Sequence, residues 1–352
     1  MDPIVRAQLH RAQSALANAS RPNYAKDFIQ AVQCLALSDS PSEASFLASN
    51  RFAGSKAANF LERGLISTGS VTGADADFDI AQHDFLALVA KRSIIGKINA
   101  VRPLRRTQFH QRELIQTERS KAAWVGEGKA IPTTGGKFAI KTLEPAKIGA
   151  LLPITREVAG SRFEDGLERD LTRAIATAES TGFIDPGNAG DEFEPASVTY
   201  NAPTIPSSGN TADDVRADIA ALFKLYQGDI DSAVIVMHSS DAVQLGLMQS
   251  VLGQANITLD GGDLFGIPLV TSDYVPTDSS GTSVTMLDAD QVLFADEGLA
   301  IDTSEVAAIE VDDGIWNAFQ QNLAVLRAIR RVSWERVRDN AVAVLTGVNW
   351  GA

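Results

Sequence analysis

The sequence is poor in the residues that build metal centres and disulfide frameworks. Its 352 residues include one cysteine, Cys34, and four histidines, none of which pairs with another ligand at the spacing of a zinc site. A single cysteine also excludes an internal disulfide and fits a reducing compartment. No run approaches the roughly 18 apolar residues of a membrane-spanning helix, and no charged-then-apolar leader opens the chain. We therefore expect a soluble protein that is made in the cytoplasm.

Basic residues are scarce in one long segment and concentrated in another. The chain carries 44 Asp and Glu against 31 Lys and Arg, a formal charge of −13. Residues 185–315 hold 23 acidic residues and only Arg216 and Lys224 as bases, whereas residues 101–150 hold ten basic and four acidic residues. The acidic segment is unsuited to binding nucleic acid, because contact with the phosphate backbone needs basic residues. Each segment is interpreted either as a solvated surface or as one side of a contact between oppositely charged parts of two copies.

Catalytic motifs are missing as well. The run His238-Ser239-Ser240-Asp241 holds the residue types of a hydrolase triad, but adjacent residues cannot take triad geometry, and no Gly-x-Ser-x-Gly sequence presents a serine. We interpret Ser239 or Ser240 as the cap of a helix that begins near Asp241. The stretch "LDGGDLFGIP" lacks the Gly-Lys-Ser/Thr of a phosphate loop, and "LDADQ" lacks the ligands of a calcium loop. No catalytic, cofactor-binding or metal-binding residue is predicted.

Apolar periodicity predicts helices in the first 60 residues. The spacing of apolar residues predicts one helix over Val5–Leu16 and another over Tyr24–Leu35. Ser40 before Pro41 is an N-cap followed by a first-turn proline, which predicts a third helix toward Phe60. The composition of Gly64–Asp79 is that of a linker. Its successor "FLALVAKRSIIGKI" is a further helix candidate.

The clearest predicted helix runs from Ser161 to Thr181. Its apolar residues recur every four positions, and Ser161 with Glu164 forms a capping box. Gly182 together with Pro186 is predicted to end it. We expect about 20 residues with one buried face, or roughly 30 Å of helix.

The stretch "AAWVGEGKAIPTTGGKF" (122–138) carries large apolar side chains on a segment with little to fold them onto a core. Turn residues between short alternating runs predict a two-stranded hairpin from about Thr117 to Ile148. Such a hairpin is marginally stable alone, and the flanking sequence offers no third strand. The sequence therefore predicts support from a neighbouring subunit for three residues: Trp124, Ile131 and Phe138.

The second half alternates between helix and strand patterns. "TADDVRADIAALFKLY" predicts a helix, "AVIVM" a buried strand, "FGIPLVTSDYVP" a strand edged by prolines, and "SVTMLDADQVLFADEGLAIDTS" two short strands. This order indicates an α/β or α+β module. The tail from Trp316 stays open, because Phe319, Leu323 and Leu326 have helix spacing while Val332, Trp334 and "AVAVL" favour strands.

In order, "AAWVGEGKAIP", "LEPAKIGALLPITREV", the long helix ending in "GFIDPG" and the strand "FGIPLVTSDYVP" resemble the major capsid protein of tailed bacteriophages. The resemblance covers about Ile80 to the C-terminus. It implies an α+β fold, the one named for phage Hong Kong 97, in six segments. These are a helical, scaffold-like arm with linker (1–79), an arm leading into the peripheral domain (80–116), an extended loop (117–148), a peripheral domain with a spine helix (149–199), an axial domain (200–310) and a return to the peripheral domain (311–352).

The resemblance also implies function and partners. It implies a structural protein, not an enzyme, with no cofactor, that self-assembles into pentamers and hexamers of an icosahedral head shell, within the virion, around double-stranded DNA. Portal, and scaffold or protease, would be assembly partners. The alternatives are an encapsulin-type nanocompartment shell protein and an unrelated soluble α/β enzyme. The residues implied to contact a neighbouring subunit are Trp124, Glu127, Lys129, Ile131 and Phe138.

One member of the resembled family links its subunits through a loop lysine, a C-terminal asparagine and a glutamate. By motif position Asn322 matches the asparagine, but Ile329 stands at the glutamate position. The lysine position falls on Ile140, with Lys141 adjacent. Because isopeptide formation needs a base to take the lysine proton, this sequence predicts no cross-links. The basic stretch 101–121 and the cluster Arg327, Arg330 and Arg331 are predicted to face inward or to pair between subunits.

Overall fold

The computed structural model describes residues 24–38, 40–53, 55–58, 61, 85–117, 122–127, 129, 136–155, 157, 164–248, 256–304, 308–311 and 314–350. Helices and strands are mixed along the chain, as in an α+β fold. The chain forms two compact units. The first comprises Met1–Ala87, Leu151–Leu171 and Ile301–Arg327, and the second comprises Leu88–Ala150, Thr172–Ala300 and Ala328–Ala352.

The helices within these ranges are α1 Tyr24–Ala36, α2 Pro41–Arg51, α3 Ile94–Val101, α4 Glu164–Ile184, α5 Ala212–Leu225 and α6 Ser239–Leu247. The strands are β1 Arg105–Arg106, β2 Glu113–Gln116, β3 Phe138–Lys141, β4 Ala146–Thr155, β5 Thr204–Pro206, β6 Ala233–Met237, β7 Asn256–Thr258, β8 Gly261–Leu264, β9 Ile267–Thr271, β10 Thr282–Asp288, β11 Val292–Ser304, β12 Ala308–Val311, β13 Gly314–Asn317, β14 Leu323–Arg336 and β15 Val342–Val348.

The two predicted helices around Pro41 are confirmed. Helix α1 covers the predicted Tyr24–Leu35 segment, and α2 begins at Pro41, where the Ser40 side chain accepts a hydrogen bond from the Glu43 N–H at 3.3 Å. The second helix ends at Arg51 and does not reach Phe60 as one element. The helix predicted over Val5–Leu16 lies outside the described residues.

A serine divides the helix that was predicted as one piece over "FLALVAKRSIIGKI". Residues 85–92 are helical, and Ser93 then takes an extended conformation and caps α3, its Oγ accepting from the Gly96 N–H at 3.0 Å. Only glycine fits at position 96, because a Cβ there would lie 2.1 Å from the Ala90 carbonyl oxygen. The break lets Ile94, Ile95 and Ile98 turn together into one core cluster.

Helix α4 confirms the long helix but corrects its end. Leu167, Leu171 and Ile175 are buried, as their four-residue spacing predicts. The predicted stop at Gly182 is wrong, because the helix continues to Ile184 and ends just before Pro186, which disfavours helical geometry at the residue preceding it. Gly182 lies inside the helix, and an added Cβ would lie 2.6 Å from a Glu194 carboxylate oxygen, so a larger residue would require the Glu194 side chain to move. The predicted cap at Ser161 lies outside the described residues.

A seven-stranded sheet, ordered β5-β15-β10-β6-β9-β8-β7, lies in the second unit. Strand β6, the predicted "AVIVM" strand, is buried at all five positions. Ile235 and Met237 pack in one core cluster with side chains of α5 and α6. The alternate residues Val234 and Val236 pack in another cluster with α3. Both faces of this sheet are therefore covered, which accounts for an unbroken apolar run.

The tail forms strands, so its helical interpretation is wrong. Strand β14 runs from Leu323 to Arg336 in a four-stranded sheet ordered β1-β11-β14-β4. Phe319 lies in the turn before it and is 78% exposed, so its spacing to Leu323 has no structural meaning. Leu323 and Val325, two residues apart, pack in the same cluster, which is strand periodicity.

The cap of α6 also differs from the prediction. The helix begins at Ser239, and His238 is the N-cap, its Nδ1 accepting from the Ser240 N–H at 3.2 Å. The His238 imidazole nitrogen is therefore the N-cap acceptor, the role that was predicted for the hydroxyl of Ser239 or Ser240. Asp241 lies in the first helical turn, is buried, and accepts a hydrogen bond from the Thr282 hydroxyl. The triad residue types are therefore used for capping and packing.

Asp218 on α5 ties three parts of the second unit together. Its buried carboxylate accepts from the Ser207 Oγ at 2.5 Å, the Ser208 N–H at 2.8 Å and the Trp350 Nε1 at 3.2 Å. Burial favours a higher pKa for Asp218, but these hydrogen bonds outweigh it and lower the pKa. Because the pKa of Asp218 is lower in the folded chain than in the unfolded chain, its charged carboxylate stabilises the fold at pH values above the unfolded pKa. This stabilisation is lost as the pH falls through the folded pKa.

We expect Asp218→Asn to lower the free energy of unfolding of the unassembled chain by about 1 to 3 kcal/mol at pH 7, the range for hydrogen bonds to a charged group. The difference from wild type should narrow at about pH 3, below the ordinary aspartate pKa of about 4. Urea unfolding at both pH values measures this. Asp213→Asn, on an exposed residue of the same helix, is the control, and a pH-independent difference for Asp218→Asn would contradict the assignment.

Candidate assembly interface

Strands β2 and β3 form the base of the predicted hairpin. They pair antiparallel, with Glu113 opposite Lys141 and Gln116 opposite Phe138. The predicted bounds, Thr117–Ile148, are wrong at both ends. Pairing begins at Glu113, and the segment after Lys141 leaves the ribbon before β4 joins the four-stranded sheet. Pro145 lies in that segment and has no N–H to donate to a ladder.

The ribbon has one face on the core and one face outward. Ile115 is fully buried opposite Ala139 and packs with Leu143 and Val337. On the other face Leu114 lies opposite Ile140, and their side chains are 62% and 60% exposed. Phe138, on the same face as Ile140, is 61% exposed. We call Leu114, Phe138 and Ile140 the outer face; it is apolar, and the described part of the chain leaves it largely uncovered.

Polar contacts hold the ribbon from the core side. The Lys141 ammonium donates to the Glu335 carboxylate and, at 2.8 Å, to the Arg336 carbonyl oxygen. Arg338 Nε donates to the Gln116 carbonyl oxygen at 2.9 Å. These contacts fix where the outer face points without covering it.

Trp124 is the most exposed large apolar residue of the described chain. Its side chain is fully exposed, and Glu127 and Lys129 beyond it are exposed as well. The Lys129 N–H donates to the Gly126 carbonyl oxygen at 3.1 Å, which closes a turn. We call residues 122–127 and 129 the Trp124 strip. Ile131, also predicted at this contact, lies outside the described residues.

Sequence reasoning missed two residues of the outer face, Leu114 and Ile140. The signal was available, because "ELIQ" and "FAIK" carry apolar residues at adjacent positions. In a strand, adjacent residues face opposite sides, so such a run in a two-stranded ribbon must leave one apolar residue outward.

The cross-link candidates are placed as follows. Asn322 is exposed in the turn before β14, with a left-handed φ of 53°. Lys141 is engaged with Glu335 and Arg336 of its own chain, and Ile329 is half-buried. The Lys141 side chain is therefore occupied by contacts within its own chain.

We expect assembled particles to dissociate completely into single chains in hot detergent, because Lys141 is held by Glu335 and Arg336 of its own chain and Ile329 stands where the cross-linking relative has a glutamate. A denaturing gel should show one band near 37.5 kDa for wild type and for Lys141→Arg alike. Ladders of multiples that vanish in Lys141→Arg or Asn322→Asp would show that the isopeptide chemistry operates.

The structure divides the arginine cluster that was predicted either to face inward or to pair between subunits. Arg330 is buried, so that prediction is wrong for this residue. Its Nε lies 3.1 Å from Glu179 Oε2, and its Nη2 donates to Asp296 Oδ2 at 3.1 Å. Burial raises the pKa of Glu179, and the positive charge of Arg330 opposes that rise. Arg331 on the same strand is 54% exposed and lies 3.5 Å from Glu297.

We expect Arg330→Met to lower the free energy of unfolding by about 3 to 5 kcal/mol, because it leaves Glu179 buried without its cation. Arg331→Met is the matched control and should change it by less than about 1 kcal/mol, the range for exposed pairs. Denaturant unfolding of both variants measures this. Equal effects of the two substitutions would contradict the assignment.

Two further observations on the described residues concern metal binding and membrane spanning. Among them, no group of three or more His, Cys, Asp or Glu side chains is placed to hold a metal ion. Of the described helices, none combines the length and apolar character needed to cross a membrane.

Solved structures define the class of this fold. The chain resembles a protein of Mycobacterium phage Ogopogo with a TM-score of 0.52 and 14% identity over 72% of this chain and 91% of that chain. A protein of Gordonia phage Cozz gives a TM-score of 0.51 and 16% identity, covering 72% of this chain and 86% of its own. A capsid chain of a native GTA particle gives 0.51 and 14%, covering 71% and 89%. The architecture is thus that of phage capsid structures.

Sequence comparison gives the family. The phage capsid family model matches residues 79–347, so this chain belongs to the phage capsid family. The capsid polyprotein of Pseudomonas phage PAJU2 is 39% identical over 292 residues, which cover 76% of this chain and 44% of that protein. The chain thus spans less than half the length of the curated relative it matches.

Proposed function

We propose that this chain is a structural major capsid protein whose copies form pentamers and hexamers of a closed icosahedral head shell around phage DNA. Membership of the phage capsid family supports the class of function. The observation that carries assembly is the outer face, where three large apolar side chains point away from the core of their own unit. Such a surface marks an interaction site.

The occupant of this surface is a neighbouring copy. Burying one large apolar side chain contributes about 1.5 to 3 kcal/mol, so the outer face and Trp124 offer a substantial contact. A shell needs many such contacts of moderate strength, because each subunit repeats them with every neighbour. Trp124, Glu127, Lys129, Ile131 and Phe138 remain the proposed contact residues, and Leu114 and Ile140 join them.

The segment roles implied by the family resemblance are part of this proposal. The extended loop is the segment predicted as 117–148, with its paired base at Glu113–Gln116 and Phe138–Lys141. The peripheral domain is 149–199 with its spine helix, and the axial domain is 200–310. The pairing of β15 with β5 and β10 supports adding Val342–Val348 to the axial domain, although the return segment 311–352 was assigned to the peripheral domain as a whole.

Further partners follow from the same proposal. A head shell is built with a portal, and with a scaffold or a protease acting during assembly. Packaged double-stranded DNA is held without sequence preference, since phosphates need only a basic surface. The basic stretch 101–121 supports such a surface through exposed side chains of Arg105, Arg106 and Arg112.

The proposal predicts that Trp124→Ala abolishes or weakens assembly without harming the fold. Trp124 contacts little of its own chain, so the unassembled variant should unfold within about 0.5 kcal/mol of wild type. If the indole is a central contact, the concentration at which shells form should rise at least about tenfold. Sedimentation velocity and negative-stain microscopy measure this, and Trp124→Phe should assemble better than Trp124→Ala.

Sedimentation velocity and microscopy of the wild-type protein also test whether the chain forms a shell. Wild-type protein should form closed particles of megadalton mass, and nucleic acid should accompany particles purified from infected cells. A small soluble oligomer would reject the shell. Particles carrying a cargo enzyme instead of DNA would favour a nanocompartment.

A further inference from the structure

Two carboxylates share one guanidinium group beneath helix α4. Glu179 on α4 and Arg330 on β14 are both buried, and Arg330 Nε lies 3.1 Å from Glu179 Oε2. Arg330 also donates through Nη2 to the Asp296 carboxylate on β11, at 3.1 Å. One positive charge thus faces two acidic groups. When both acids are ionised, the cluster keeps one negative charge that nothing in it compensates.

The Glu179 carboxylate has few of the contacts that hold a buried charge. Both of its oxygens are buried, and neither accepts a hydrogen bond of good geometry from the described residues. The buried carboxylate of Asp218 differs, because it accepts hydrogen bonds from Ser207, Ser208 and Trp350. Several such bonds favour the ionised form of a carboxylate, whereas burial without them favours the protonated form. Glu179 is therefore the carboxylate of this cluster that is suited to carry a proton.

Asp296 is the carboxylate of the cluster that water reaches. Its side chain is 28% exposed and lines a polar cleft of about 440 Å³. Arg106 and Glu113 line the same cleft from β1 and β2. The charge of Asp296 is thus solvated on one side and paired with Arg330 on the other. A proton that enters the cluster is better placed on Glu179, where no water offsets the negative charge.

We propose that Glu179, Arg330 and Asp296 form a proton-binding switch, in which one proton on Glu179 removes the uncompensated charge and tightens α4 against β11 and β14. With the proton bound, the charges of Arg330 and Asp296 balance each other. Without it, a negative charge stays buried between the helix and the strands. All three residues belong to the second compact unit, so the switch operates within one chain and does not depend on shell assembly.

The direction of the pH effect follows from the surroundings of Glu179. Burial raises its pKa above the ordinary 4.5, and Arg330 opposes that rise. The Asp296 charge raises the pKa further, and the Ser93 hydroxyl at the start of α3 lowers it. Because the pKa is raised, the folded chain holds the proton more tightly than the unfolded chain does. The stabilisation is complete below the unfolded pKa and is lost as the pH rises through the folded pKa, the opposite of Asp218.

Glu179→Gln tests the switch, because glutamine is close in shape to the protonated acid and has no proton to lose. Urea unfolding of the unassembled chain gives the unfolding constants of variant and wild type, and their ratio isolates Glu179 from other carboxylates. The wild-type constant should rise relative to that of the variant by at least about tenfold between about pH 5 and about pH 9, since one proton contributes about a factor of ten per pH unit. A ratio that does not change with pH would overturn the switch.

Two neighbouring positions on β11 supply a matched pair of variants. Asp296→Asn removes the second carboxylate, so the pH dependence of wild-type unfolding over the same range should shrink by at least about half. Glu297→Gln changes a residue that is 50% exposed beside Arg331 and should keep the wild-type pH dependence. The same pH dependence in both variants would contradict the proposal. This pair also decides the outcome if Glu179→Gln does not fold.

Discussion

The alternation of side chains along a strand is the constraint on which the exposed apolar outer face depends. In β2 and β3 adjacent apolar residues must face opposite sides, so burying Ile115 and Ala139 forces Leu114 and Ile140 outward. No rotation of the ribbon would bury both sets, because only one of its faces meets the core. The exposed apolar surface is thus a necessary result of this sequence in this conformation.

The parts behind that surface are built to stay rigid. The seven-stranded sheet is covered on both faces, and its central strand β6 contributes alternate residues to two core clusters. The buried ion pair between Arg330 and Glu179 joins α4 to β14, and both side chains are shielded from water. A rigid scaffold reduces the conformational entropy lost on association, which benefits a protein that depends on many moderate contacts.

Local signals in the sequence predicted the elements whose ends are set locally. Serine before proline predicted the start of α2, and four-residue apolar spacing predicted α4. Tertiary contacts decided the rest. Gly182 resembles a helix stop in isolation, but α4 continues through it to Ile184 and ends only before Pro186.

Local sequence patterns also predicted part of the exposed apolar surface. An aromatic residue in an apolar-poor segment was enough to single out Trp124 and Phe138. The ribbon's bounds and its outward leucine and isoleucine were not found, because they depend on which face meets Leu143 and Val337.

Strand β15 has a consequence for the timing of synthesis. It lies between β5 and β10, so the sheet lacks an inner strand until residues 342–348 have emerged from the ribosome. Until then β10 has an open edge and β5 has no strand to pair with. A chain in which residues 342–348 have not yet been made therefore lacks a complete seven-stranded sheet.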